Sequence, residues 1–149
     1  MTVTESAPRY DVDSRLYQQI QDFYAYQMQL LDNGAVDEWA ATFTEDGVFA
    51  ANAHPQPYRG RDVIASGAGQ AARALREREV RRRHWLGMVS VRPEGPDTVR
   101  ARSYALVLET PRGGPTTVLM STVCHDLLVR SADGRWLVKE REVTRDDLA

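Results

Sequence analysis

The chain has 149 residues, 42% of them apolar and 27% charged, and a net charge of -2, a size that suits one domain hiding roughly 70% of its unfolded-chain surface and leaves no room for two. That charge gives no electrostatic reason to expect nucleic acid or an anionic membrane, and no apolar run approaches the ~20 residues that span a bilayer. Cys124 is the single cysteine, which excludes a disulfide framework and a thiolate zinc site and points to a reducing, cytoplasmic setting.

Residues 1–12 mix Thr, Ser, Pro and charge and read as a flexible tail without the basic, apolar pattern of a signal sequence. A single domain is expected over residues 13–149. Its first helix is capped by Asp13 or Ser14 and carries Leu16, Ile20, Phe23, Tyr24, Gln27, Met28 and Leu31 at spacings of three and four. Asn33-Gly34 ends it. A short second helix is predicted from about Val36 to Phe43, then a turn at Asp46-Gly47 and a brief strand at Val48 to Ala50. Pro55 and Pro57 make Asn52 to Arg59 a loop, and Arg61 to Arg76 fits a third helix with Ile64, Ala68, Ala71 and Leu75 facing inward.

The remainder reads as strand: His84 to Val91, Val99 to Glu109, Thr117 to Arg130 and Arg135 to Val143, each rich in β-branched and large apolar residues and separated by Gly- and Pro-containing turns. Short turns join antiparallel neighbours, so the expected fold class is α+β, with three N-terminal helices on one face of a curved, mostly antiparallel sheet. Such a sheet, closed by helices, encloses a cone-shaped hollow able to hold a small, mostly apolar or aromatic molecule.

Three histidines, His54, His84 and His125, are the side chains that titrate near neutrality without help. Alternation along its strand puts His84 on one face with Leu86, Met88 and Ser90. If that face lines the hollow, His84 is a general base in an apolar pocket; otherwise it is a structural histidine bonded to a backbone carbonyl. Asp32 ends the first helix, where a negative charge opposes the helix dipole. Pairing with a histidine, whose tautomer it would fix, is one explanation; a solvated carboxylate or one bonded within the Asn33-Gly34 turn is another. Ser103 and Ala105 share a face of small residues that ends in Glu109, which suits either a ligand cavity or close helix packing. Tyr24, Met88, Ser103 and Ala105 are the expected pocket lining.

His125 and Asp126 alternate to opposite faces, so at most one enters the hollow, and Asp126 is read as a structural partner of Arg141. The run Arg81-Arg82-Arg83 reads as solvated, or as an attractor for an anionic substrate or carrier protein. Cys124 lies mid-strand among apolar residues and reads as buried and inert. No Gly-rich phosphate loop, His-Glu-x-x-His pair, Gly-x-Ser-x-Gly elbow or nucleotide fingerprint is present, so no metal and no organic cofactor is expected.

Several segments, in order, carry a family resemblance: Leu30-Leu31-Asp32-Asn33-Gly34 with Glu38-Trp39, Phe43-Thr44-Glu45-Asp46-Gly47-Val48-Phe49, Arg59-Gly60-Arg61, Arg83-His84-Trp85-Leu86-Gly87, and Asp133-Gly134-Arg135-Trp136 with Arg141. Together they resemble the nuclear transport factor 2-like superfamily, and within it the SnoaL-like proteins, over Leu16 to Val143. The resemblance implies a cone-shaped α+β barrel that often forms a homodimer through its sheet. It also implies a catalytic pair of Asp32 and His84, since scytalone dehydratase and bile-acid dehydratase are similar in setting an aspartate after the first helix opposite a histidine at the start of a long strand. The tyrosine before that aspartate in scytalone dehydratase is Leu31 here, and Glu109 or His125 would have to assist in place of a second histidine. Similarity to small proteins of actinomycete aromatic polyketide pathways implies a polycyclic aromatic or polyketide-derived substrate, on which His84 supported by Asp32 would move a proton as a cyclase, dehydratase or isomerase. Similarity of the Leu-Leu-Asp-x-Gly and Glu-Trp stretch to ring-hydroxylating dioxygenase beta subunits implies the alternative, a binding or scaffolding subunit without catalysis.

Overall fold

In the computed structural model, which describes residues 12–149, the helix α1 (Ser14–Asp32) starts where the Asp13 carboxylate accepts the backbone N–H groups of Arg15 and Leu16 at 2.7 and 3.3 Å, satisfying two donors that the helix leaves open. It stops at Asn33, and Gly34 takes the left-handed conformation, φ +76°, that reverses the chain. Ile20, Tyr24, Gln27 and Met28 form its buried stripe. The tail expected over residues 1–12 lies, Val12 apart, outside the described residues.

The second helix, α2 (Val36–Ala40), is shorter than its sequence suggests, because Thr42 and Phe43 are recruited by the sheet: the Val138 N–H donates to the Thr42 carbonyl at 2.8 Å. Strand β1 (Phe43–Ala51) therefore begins at Phe43 instead of Val48, and the end of the Pro-rich loop contributes a two-residue strand, β2 (Tyr58–Arg59). Helix α3 (Arg61–Glu77) follows, then β3 (Val80–Pro93), β4 (Thr98–Pro111), β5 (Thr117–Arg130), β6 (Trp136–Arg145) and a 3-10 turn, Asp146–Leu148. The three helices all precede the long strands, but β1 and β2 interrupt them, so they are not one N-terminal block.

The six strands form one sheet in the order β2-β1-β6-β5-β4-β3. Every pairing is antiparallel except β1 with β6, which run parallel. Period-two burial shows which face is covered: Val99, Ala101, Ser103, Ala105 and Val107 of β4 are buried while Arg100, Arg102, Tyr104 and Leu106 are exposed. Register breaks at Gly87/Ser90, Val107/Leu108 and Leu127/Leu128 bend the strands and curve the sheet. Helices pack on the inner face around Ile20, Tyr24, Trp39, Phe43, Ile64, Leu128 and Val138, with the Trp39 and Phe43 rings edge to face at 5.1 Å. Strand β3 is left at the sheet edge, where its outward N–H groups need partners from elsewhere.

Candidate active site

That open edge explains Asp32. The last residue of α1 accepts the backbone N–H of His84 on Oδ2 at 3.0 Å and meets the His84 ring nitrogen Nδ1 with Oδ1 at 2.7 Å. Residues 52 positions apart in sequence are thus held by two bonds. The Asp32 side chain is 6% exposed and the His84 side chain 23%. An ionised carboxylate can only accept, so Nδ1 carries a proton, and in the neutral form of the ring the lone pair lies on Nε2. Nε2 bonds to no group among the described residues. His84 and Asp32 both line the principal cavity, so an imidazole oriented by a buried carboxylate borders its open space.

The cavity, ≈ 1540 Å³, lies between α1, α3 and the inner face of the sheet and opens to solvent. One wall is aromatic: His54 stacks on Tyr58 at 5.1 Å, and Tyr58 on Phe49 at 6.4 Å. The adjoining wall, from α3, is small, with Gly67, Ala68, Ala71 and Ala72. Gly67 permits this packing, since a β-carbon there would sit 2.8 Å from Cε2 of Tyr58.

Beside the cavity lies a buried polar cluster. Asp126 holds Arg141 through Oδ1 to Nε and Oδ2 to Nη2, both at 2.9 Å, and the Tyr24 hydroxyl donates to Oδ2 at 2.6 Å. Gln27 Oε1 accepts from Nη2 at 2.7 Å, while Gln27 Nε2 donates to Thr42 at 2.7 Å. Burial works to lower the pKa of Arg141, but the charge and hydrogen bonds of Asp126 outweigh it and raise the value, so the guanidinium stays charged. Burial and the neighbouring Asp126 carboxylate push the Tyr24 phenol well above its ordinary range, keeping it a neutral donor. Burial likewise raises the Cys124 thiol.

Ala105 lines the cavity. Tyr24 does not: its ring is buried in the core and its hydroxyl is committed to Asp126. Ser103 is fully buried opposite Cys124 and also falls short of the cavity wall. Met88 points outward, 81% exposed, because the bulge after Gly87 inserts one residue, sets Met88 at φ +51° and reverses the alternation, so that Val89 and Val91 take the inner face. His125 is exposed on the outer face, remote from the hollow, because the inner face of β5 belongs to Thr122, Cys124, Asp126 and Leu128. It cannot assist His84. Glu109 is engaged by Arg82 at 2.7 Å and is not part of the cavity wall, so it is not a free acid beside the base, and Arg82 is not a purely solvated charge. Cys124 is buried as its surroundings imply, yet it borders the cavity. Sequence reading missed the cavity-facing positions of Arg141, Tyr58 and His54: the first carries the signal of a lone arginine in an inward strand position, the other two belong to a Pro-rich stretch whose sequence shows no periodicity. Among the described residues no group of three or more His, Cys, Asp or Glu side chains converges as a metal would require.

A curved sheet with helices over one face and a histidine–carboxylate pair inside the hollow defines a small pocket protein of the nuclear transport factor 2-like fold. Residues 13–142 match the SnoaL-like domain, and the chain belongs to that family. It is similar to a protein from Catenulispora acidiphila solved in complex with S-DNPA, at 37% identity over 91% of this chain and 96% of that one, TM-score 0.79. ActVI-ORFA from Streptomyces coelicolor is 34% identical over 90% and 97%, TM-score 0.82, and Aln2 from a Streptomyces species is 31% identical over 92% and 95%, TM-score 0.85. Among curated proteins none matches.

Proposed function

We propose that this SnoaL-like chain is an acid–base enzyme that needs no metal or organic cofactor and moves a proton beside a carbonyl of a polycyclic or aromatic polyketide-type substrate, in cyclisation, dehydration or isomerisation. The observation that carries it is the bond from His84 Nδ1 to Asp32 at 2.7 Å, which leaves Nε2 as the accepting nitrogen at the cavity wall. The aromatic wall of Phe49, Tyr58 and His54 suits a flat ring system. Similarity to two Streptomyces proteins, and to a relative solved in complex with S-DNPA, supports a role in small-molecule binding or catalysis.

The test does not require the natural substrate. Deuterium entering the methylene next to the carbonyl of 1-tetralone in heavy water, followed by NMR, reports proton abstraction directly. The wild type should accelerate exchange, and folded His84→Ala should lose ~10²- to 10⁴-fold of that rate. Equal exchange by a folded His84→Ala variant removes His84 from the chemistry.

A second reading, a binding or scaffolding subunit, draws on the outer sheet face, where Trp85, Tyr104, Leu106 and Leu119 are exposed. That face suits a second copy of the chain, because it carries both signs of charge, Arg100 and Arg102 on β4 with Glu140 and Glu142 on β6, and so can complement itself. An obligate heteromeric complex on co-purification would favour the scaffolding reading instead.

A further inference from the structure

The arginine beside the cavity has donors to spare. A guanidinium carries five N–H groups; in Arg141 the Nε donor goes to Asp126, and the two on Nη2 go to Asp126 and Gln27. Nη1 donates to no group among the described residues. The side chain is 4% exposed, and Arg141 forms part of the cavity wall with Trp39, Phe49 and Cys124. Nη1 is not sealed inside the protein, so its two N–H groups, unanswered by any protein acceptor and carried by a residue of the cavity wall, are free to meet an oxygen from outside the protein.

The charge of the cluster selects among oxygens. Asp126 balances Arg141, while Tyr24 and Gln27 are neutral, so the four side chains together carry no net charge. A carboxylate seated on Nη1 would give the buried group a net negative charge and would have to shed its own hydration. A ketone or quinone oxygen accepts the same two hydrogen bonds without that cost. Thr122, which also borders this wall, is already occupied as a donor to the Ala105 carbonyl at 2.8 Å, and Cys124 is kept as a neutral thiol by burial.

We propose that Nη1 of Arg141 is the specificity-determining donor of the pocket, binding an uncharged carbonyl oxygen of a flat aromatic ligand that packs against Phe49 and Tyr58. This rests on the ligand-pocket reading above and names the functional group the pocket selects. Arg141 orients the carbonyl; His84 remains the proton acceptor.

The experiment compares 2-acetylnaphthalene, its oxygen-free counterpart 2-ethylnaphthalene, and 2-naphthoate, by calorimetric titration of the wild type and of Arg141→Lys. Lysine keeps the positive charge beside Asp126 and loses the fork. The wild type should prefer the ketone to 2-ethylnaphthalene by roughly tenfold or more and should bind 2-naphthoate more weakly than the ketone. The carbonyl stretch of bound 2-acetylnaphthalene, in an isotope-edited infrared difference spectrum, should lie below its frequency in an aprotic solvent. Arg141→Lys should lose both the preference and the shift while binding 2-ethylnaphthalene as before. Equal wild-type affinities with an unshifted carbonyl overturn the role of Arg141 and leave the pocket reading standing. Tighter binding of 2-naphthoate overturns the neutral-oxygen assignment. If none of the three binds, the pocket reading itself fails and takes this one with it. Should Arg141→Lys not fold, the wild-type affinity ratio and carbonyl frequency decide alone.

Discussion

Asp32 occupies the end of a helix, where its charge is disfavoured by the dipole, and is retained there by two donors from one residue of an edge strand. Removing the carboxylate strands both donors in a partly buried place. Asp32→Ala should therefore lower stability by about 2–3 kcal/mol in urea unfolding, and Asp32→Asn, which keeps one acceptor oxygen, by about 1 kcal/mol. Tyr24 makes a different prediction. Its phenol is raised in the folded state above the ordinary value of 10.0, by burial first and by Asp126 second. The stability it contributes is complete below about pH 10 and falls as pH rises beyond, because the unfolded chain releases a proton that the folded one keeps. Tyr24→Phe should cost roughly 2 kcal/mol at neutral pH through the lost bond to Asp126. It should also flatten the alkaline decline by up to about 1.4 kcal/mol per pH unit, measured by urea unfolding across pH 9 to about 12.

Among the elements, β3 decides the site because it does two things along one strand. Its first half, Arg82 to Leu86, presents alternate residues to the inner face; the bulge after Gly87 then reverses the alternation so that Val89 and Val91 join the inner face. Met88 holds the left-handed conformation that a side chain resists and that glycine takes freely. Met88→Gly should accordingly be neutral or stabilising by up to about 1 kcal/mol in thermal unfolding, although a glycine elsewhere in a strand weakens it. The packing of α3 against β2 is less forgiving. Gly67→Ala would press a methyl group to 2.8 Å from the Tyr58 ring. The expected result is a cost of about 1–3 kcal/mol, or a displaced Tyr58 and weaker binding of flat aromatic probes, read by titration.

For the molecule as a whole, the outer face of the sheet carries Trp85, 70% exposed, next to Leu106 in the β3–β4 register, with Tyr104 and Leu119 also exposed. A contiguous exposed apolar patch on one face is a mark of an interaction surface. We expect the chain to run as a dimer in size-exclusion chromatography with light scattering, and Trp85→Arg to shift it towards monomer without loss of fold. A wild type that is monomeric at high micromolar concentration would count against that use of the face. No helix among the described residues is long and apolar enough to cross a membrane.

Helices and long strands were legible because their signals are local. The stripe from Leu16 to Leu31, the Asn33-Gly34 stop and the alternation of β4 each depend on residues a few positions apart, and the structure places α1, α3 and β3 to β6 within a few residues of the expected bounds. The Asp126–Arg141 pair was also legible, because antiparallel register across a short turn aligns β5 and β6 almost automatically. What lies beyond local pattern was not. A bulge changes which side of a strand faces the core without altering its composition, and so Met88 was expected inside. The parallel pairing of β1 with β6 joins segments nearly a hundred residues apart, and it alone converts Phe43 from the end of a helix to the start of a strand. Periodicity and the family resemblance could nominate Asp32 and His84. Their two bonds depend on the crossing of α1 over the edge of β3, and the idle donors of Arg141 on which acceptors the packed interior supplies, and both are set by long-range packing that no local pattern encodes.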